Sequence, residues 1–281
     1  MNGNALIKVL ALIALVPATT AMAVQILVRS VVPDSAARRY AAALAIGIAF
    51  FVGIACLFSW TELVPKRHWH WLPYLCALAM VLGPVTLASG VYAIERLLVQ
   101  LFIAGLSAWL LVPSWSNLAP PRWLSIPLLT VYLFLLVVLL DRLPERLPGH
   151  LLPALLAMTA LWLALAAAAN VSETYGLLIA VSAAATIGTW AGMGFRSDSM
   201  NVRGLITPLT IILGGAAYVC CVELEPPLFG ALLMPAAPLA LWFCSWEPLV
   251  RLKGWSGGLV QTALVLLPLV TAFIWISFGR T

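Results

Sequence analysis

Residues 151–170 read LLPALLAMTALWLALAAAAN, and residues 175–194 read YGLLIAVSAAATIGTWAGMG. Neither run holds a charged side chain, and only Val171 to Thr174 separate them. The apolar residues are continuous and do not alternate, so a transmembrane β-strand is excluded. A helix rises about 1.5 Å per residue, and about 20 apolar residues match a hydrocarbon core of about 30 Å. The two runs therefore predict a helical hairpin that crosses a membrane twice. Working outward in both directions, spans of this kind are expected at 5–28, 40–64, 72–92, 97–112, 124–140, 150–169, 175–194, 205–223, 228–245 and 258–278. The fourth and fifth are short, and they either borrow flanking residues or sit in a thinned bilayer.

Composition agrees with ten crossings. The chain has 281 residues, of which 63% are hydrophobic and 9% charged, with a mean hydropathy of +1.06. A soluble domain carries about 25% charged residues, so this chain cannot coat a water-facing surface. Ten spans take about 200 residues and leave too little for a soluble domain. The expectation is an all-α, polytopic integral membrane bundle of about ten transmembrane helices, forming one transmembrane domain over 1–281. Net charge is +5, but no basic cluster exceeds two residues (Arg38-Arg39, Lys66-Arg67). A nucleic-acid partner is therefore not expected. The five cysteines fall in apolar runs without a C-x-x-C pair, as small buried side chains do. Only Cys220-Cys221, near a helix end, invites a redox reading.

The basic residues sort by side. Loops after odd-numbered spans hold ten of them, from Arg29 to Lys253, and the other side holds five (Lys8, Lys66, Arg67, Arg122 and Arg280). Basic loops stay in the cytoplasm, which predicts a multi-pass protein of the plasma (inner) membrane with both termini outside. Lys8, the apolar Val9 to Val16 and the following Ala21-Met22-Ala23 also have the build of a cleavable signal. Cleavage would place Arg29, Arg38 and Arg39 outside, so the segment reads as a first transmembrane helix. Trp60, Trp69, Trp71, Trp115 and Trp123 cluster at the predicted outer boundary, and Trp242, Trp246 and Trp255 at the inner one. Indoles prefer that depth.

An internal echo adds to this frame. Ser59-Trp60, Leu63, Pro65, Arg67 and Trp69 after span two match Ser114-Trp115, Leu118, Pro120, Arg122 and Trp123 after span four, allowing one gap. Glu62, Asn117, Asn170 and Glu223 recur at intervals of 55, 53 and 53. One reading is a tandem two-helix repeat with these four polar residues at one depth on the outer face. The plainer reading is that evenly spaced hairpins repeat their loops.

The chemistry available within the spans is neutral. Charge at mid-bilayer is costly and usually functional, and these spans hold essentially none. That excludes a buried carboxylate relay and a two-carboxylate hydrolase. The acids in predicted inner loops, Asp141 and Glu145 among them, each have a basic residue nearby in sequence and read as solvated or interfacial ion pairs. Ser182, Thr186 and Thr189 share one face of span seven, where Gly188 and Gly192 make a G-x-x-x-G step. Span eight adds Thr207 and Thr210, and span three adds Thr86 and Ser89. These seven hydroxyls are the candidate substrate-binding residues of a neutral polar path, and ordinary small-residue packing is the competing reading. His68 and His70, with Glu62 nearby, make only a weak metal-binding pattern. There is no P-loop, H-E-x-x-H, G-x-S-x-G or dinucleotide fingerprint, so no cofactor and no catalytic residue is expected.

Three functions are compatible with this reading. The first is a permease for a small solute. The second is a non-catalytic membrane subunit or scaffold that packs against membrane-protein partners or a second copy. The third is a membrane enzyme acting on lipid at the outer face through Glu62, Glu223 and the histidines. The lipid bilayer is the partner common to all three.

Overall fold

The computed structural model describes residues 3–31, 35–58, 64–85, 91–147, 151–194, 199–223, 229–245 and 255–278. All regular structure among these residues is helical. The helices are α1 (Gly3–Val31), α2 (Ser35–Leu57), α3 (Leu72–Val85), α4 (Ala93–Leu111), α5 (Arg122–Asp141), α6 (Leu151–Asn170), α7 (Glu173–Gly192), α8 (Ser199–Glu223), the single turn α9 (Leu233–Ala236) and α10 (Trp255–Phe278). Eight of them are long and apolar enough to cross a membrane. Local signals set their starts. Ser172 caps α7 by accepting the Tyr175 N–H at 3.4 Å, and Glu95 reaches back to the Tyr92 N–H at 3.2 Å, so N–H groups left over at two helix starts are satisfied.

The two segments expected to be short are of ordinary length. α4 has 19 residues and α5 has 20, because they absorb flanking residues that include Arg96, Arg122 and Asp141. The shorter segments are the third and the ninth. α3 has 14 residues and covers about 21 Å, entered through a 3-10 turn at His68–Trp71. The ninth segment is a 3-10 turn (Phe229–Leu232), then α9, then a second 3-10 run (Ala237–Ser245). Pro235 and Pro238 lack the N–H that an α-helix would use there. A 3-10 winding rises about 2.0 Å per residue against 1.5 Å for an α-helix, so these residues reach about 32 Å instead of about 26 Å. Gly230 lies against Trp275 of α10, and Trp242 lies under Arg146 at the other end of the bundle. The 3-10 winding gives this short segment a reach close to that of a longer α-helix.

α8 forms the axis of the bundle: 94% of its apolar stretch is buried, against 22% for α1 and for α10. It packs against α2, α3 and α5. α7 pairs with α6 on one side and with α1 on the other. A Cβ on Gly188 would run into the Ala18 backbone, and one on Gly53 would strike Val181 and Pro17. These glycines let α1, α2 and α7 close on a small alanine core of Ala21, Ala45, Ala49 and Ala185, as small residues do in membrane bundles. The α4–α5 hairpin turns a row of large apolar side chains outward, among them Leu98, Phe102, Trp109, Trp123 and Val131.

Candidate functional site

The C-terminal ends of α2, α4 and α8 gather at one end of the bundle with the starts of α3, α5 and α7. The turn at His68–Trp71 organises this end. The Trp69 ring sits between Phe58 at 5.8 Å, His70 at 4.0 Å and Tyr175 at 5.6 Å. The Lys66 N–H donates to His70 Nδ1 at 3.2 Å, so that nitrogen is occupied in holding the loop. The His68 ring meets Trp115 edge-on at 5.3 Å.

His68 is enclosed, its side chain only 8% exposed. Its Nε2 lies 3.4 Å from Glu223 Oε1, without hydrogen-bond geometry. Burial first, and then His70 and Arg67, push its pKa down to about 4. At neutral pH the imidazole is uncharged, and its contact with Glu223 is not an ion pair. The Tyr175 hydroxyl also faces Glu223.

These groups border a cleft of about 560 Å³, lined by Lys66, Arg67, His68, Trp71, Trp109, Leu110, Val112, Pro113, Ser114, Trp115, Arg122 and Glu223. The volume lies in the range of about 300–1,000 Å³ usual for small-ligand pockets. Three full positive charges face one carboxylate. None of Lys66, Arg67 and Arg122 is in an ion pair among the described residues. The Arg122 guanidinium lies 5.3 Å from the Trp109 ring centre, and its Nε is buried without a hydrogen-bond partner.

The structure brings some of the expected residues together and separates others. Of the four polar residues in the echo, Glu223 lines the cleft. Asn117 is exposed in the loop between α4 and α5. Asn170 donates to the Ala166 carbonyl of its own helix at 3.0 Å. Glu62 lies outside the described residues, as do Thr86 and Ser89. The basic half of the echo is more telling, because the matched Arg67 and Arg122 both line the cleft, with Ser114 and Trp115. On α7, Ser182, Thr186 and Thr189 are fully buried. They donate to the carbonyls of Ile179, Ser182 and Ala185 at 2.6, 2.7 and 2.8 Å. Thr207 and Thr210 are 4% and 3% exposed on α8. α2 packs against both α3 and α7. Among the described residues, no group of three or more His, Cys, Asp or Glu is placed to hold a metal ion. No disulfide joins the described cysteines, Cys220 and Cys221 among them.

The opposite end is closed by charge. Asp141, 2% exposed, is paired with Arg96 and with Arg203 at 3.2 Å, and Arg203 also binds Glu145 at 2.7 Å. This corrects, for Asp141, the expectation of solvated or interfacial pairs between sequence neighbours. Asp141 is buried, and its partners come from the starts of α4 and α8, which α5 reaches only once the bundle folds. Arg146 caps the Trp242 ring at 4.4 Å. Sequence reasoning also passed over Gln25, whose amide is fully buried beside Gly192 with no hydrogen-bond partner for either atom, and Gln100, which is 2% exposed. The signal was available, because amides are rare inside apolar spans.

An all-helical bundle with this many apolar crossings defines the chain as a multi-pass, membrane-embedded protein. No protein family, no curated protein and no solved structure matches it.

Proposed function

We propose that the protein is a permease for a small solute. The supporting observation is the asymmetry between its ends: a cleft of about 560 Å³ at one and the ionic knot of Arg96, Asp141, Glu145 and Arg203 at the other. A carrier that works by alternating access needs an open mouth on one side and a breakable closure on the other. Charge pairs suit the closure, because they can be exchanged for water at modest net cost. In this reading the cleft opens to the outside of the plasma membrane, with both termini on that side. The support is the excess of basic residues in loops at the opposite end. Between the ends lie the buried hydroxyls of α7 and α8, with Thr186, Thr189, Thr207 and Thr210 as the candidate polar steps.

Solute uptake into liposomes tests the proposal. Uptake is expected with the full chain, and it should be lost in a Thr186→Leu, Thr189→Leu double variant that still folds. Absence of uptake across a broad solute panel, with stoichiometric co-purification of a membrane partner, would instead establish the scaffold reading.

A further inference from the structure

We infer that the cleft binds the phosphate group of an amphiphile, with the apolar part of the ligand lying against its tryptophan wall. Four observations meet at this place. Lys66, Arg67 and Arg122 line one cavity, and no ion pair among the described residues neutralises them. Guanidinium groups match phosphate oxygens with two donors at once and lose less hydration than an ammonium when they do so. The Nε of Arg122 is already buried and unpartnered, a desolvation that an incoming oxyanion would repay.

The second observation is His68. Its side chain is more than nine-tenths buried, lines the cleft, and has an Nε2 with no hydrogen bond. A neutral imidazole there can donate one N–H to an oxyanion. The third is Glu223, a carboxylate that would repel such a ligand. It is one negative charge against the positive charges of Lys66, Arg67 and Arg122, so the balance of charge among the described lining residues stays positive.

The fourth observation gives the rest of the ligand. Trp71, Trp109 and Trp115 share the lining, and Trp109 is also 58% exposed on the outward face of α4. The cleft is therefore continuous with the face of the bundle that meets lipid. An amphiphile held at the headgroup layer can enter from the side, with its phosphate toward the bases. Two sources share this chemistry: an anionic phospholipid and a water-soluble aryl phosphate.

The inference rests on taking the cleft as the mouth of the permease, and its test measures binding apart from transport. The full chain in phosphatidylcholine nanodiscs is titrated with phenyl phosphate by calorimetry. In a second arm, the delipidated chain is offered phosphatidylglycerol or phosphatidylcholine vesicles, and retained lipid is read by native mass spectrometry. Saturable binding in the first arm assigns a soluble source. Selective retention of phosphatidylglycerol assigns the lipid, and either supports the site. Arg67→Gln should weaken binding about tenfold, the worth of one charge-assisted hydrogen bond, and raised salt should weaken it further. Arg67 is exposed and its loss leaves the Arg122–Trp109 contact in place, so folding is not at stake. Arg142→Gln, exposed at the opposite end, should bind as the parent does. No binding in either arm, or equal binding by Arg67→Gln, overturns the site. Binding without uptake removes the permease reading and leaves the site standing.

Discussion

Asp141 is held by Arg96 and by Arg203, the latter 62 positions away in the chain. Replacing its carboxylate with an amide leaves two arginines facing each other in a largely dry site. Asp141→Asn is expected to destabilise the protein by about 3 kcal/mol, seen as a lowered Tm in detergent. Glu145→Gln, at a side chain 57% exposed, should cost less than about 1 kcal/mol; equal losses in the two variants would argue against the burial of Asp141. His68 makes a prediction about pH. Its folded pKa of about 4 lies below the ordinary 6.5, so between those values the unfolded chain binds more protons than the folded one. Stability should be level above about pH 6.5 and fall as pH drops toward 4. A His68→Gln variant should flatten that part of a Tm–pH curve. Neither residue could be assigned its partner from sequence. Arg142 stands beside Asp141 in the chain and is not its partner, because partnership here depends on which helix ends converge.

At the scale of the element, the spans were readable because length and continuous apolarity are properties of one segment alone. What those properties leave out is winding. A residue count assumes 1.5 Å per residue, so α4 and α5 looked short until charged ends were included, and the ninth segment gave no sign of its 3-10 course beyond Pro235 and Pro238. The glycine contacts were half legible. The step from Gly188 to Gly192 marked a close approach, but not that Ala18 of α1 would fill it. Gly188→Leu should push α1 off α7 and destabilise the bundle by about 1–3 kcal/mol or more, read as a lower Tm and faster proteolysis of the first helix. Gly258→Ala on α10, where a Cβ meets nothing within 4 Å, should be neutral or slightly stabilising.

For the whole molecule, composition together with the continuity of the apolar runs was enough to read an all-helical membrane bundle. The cleft was not legible, because its walls come from three separate chain regions, and its residues were read as separate features of the outer face: Glu223 in the echo, His68 in a loop, and Trp71 and Trp115 as interfacial anchors. The histidine loop and the echo held several of its members, Arg67 and Arg122 included, yet spacing along the chain could not show that they face one cavity. Orientation is open to direct measurement. With the native cysteines replaced, Ser116→Cys should react with an impermeant maleimide from outside, and Glu145→Cys only after the membrane is opened. The reverse pattern would invert the molecule. The ninth segment adds one more property of the whole. If the stretch beyond Pro238, residues 239–245, rewound from 3-10 to α, it would shorten by about 3–4 Å while its far end turned through about 140°. Such a strut is a lead screw, converting travel along the membrane normal into rotation. A thinner bilayer favours the shorter winding and a thicker one the longer. The contact of Trp242 with Arg146 would move with such a rewinding.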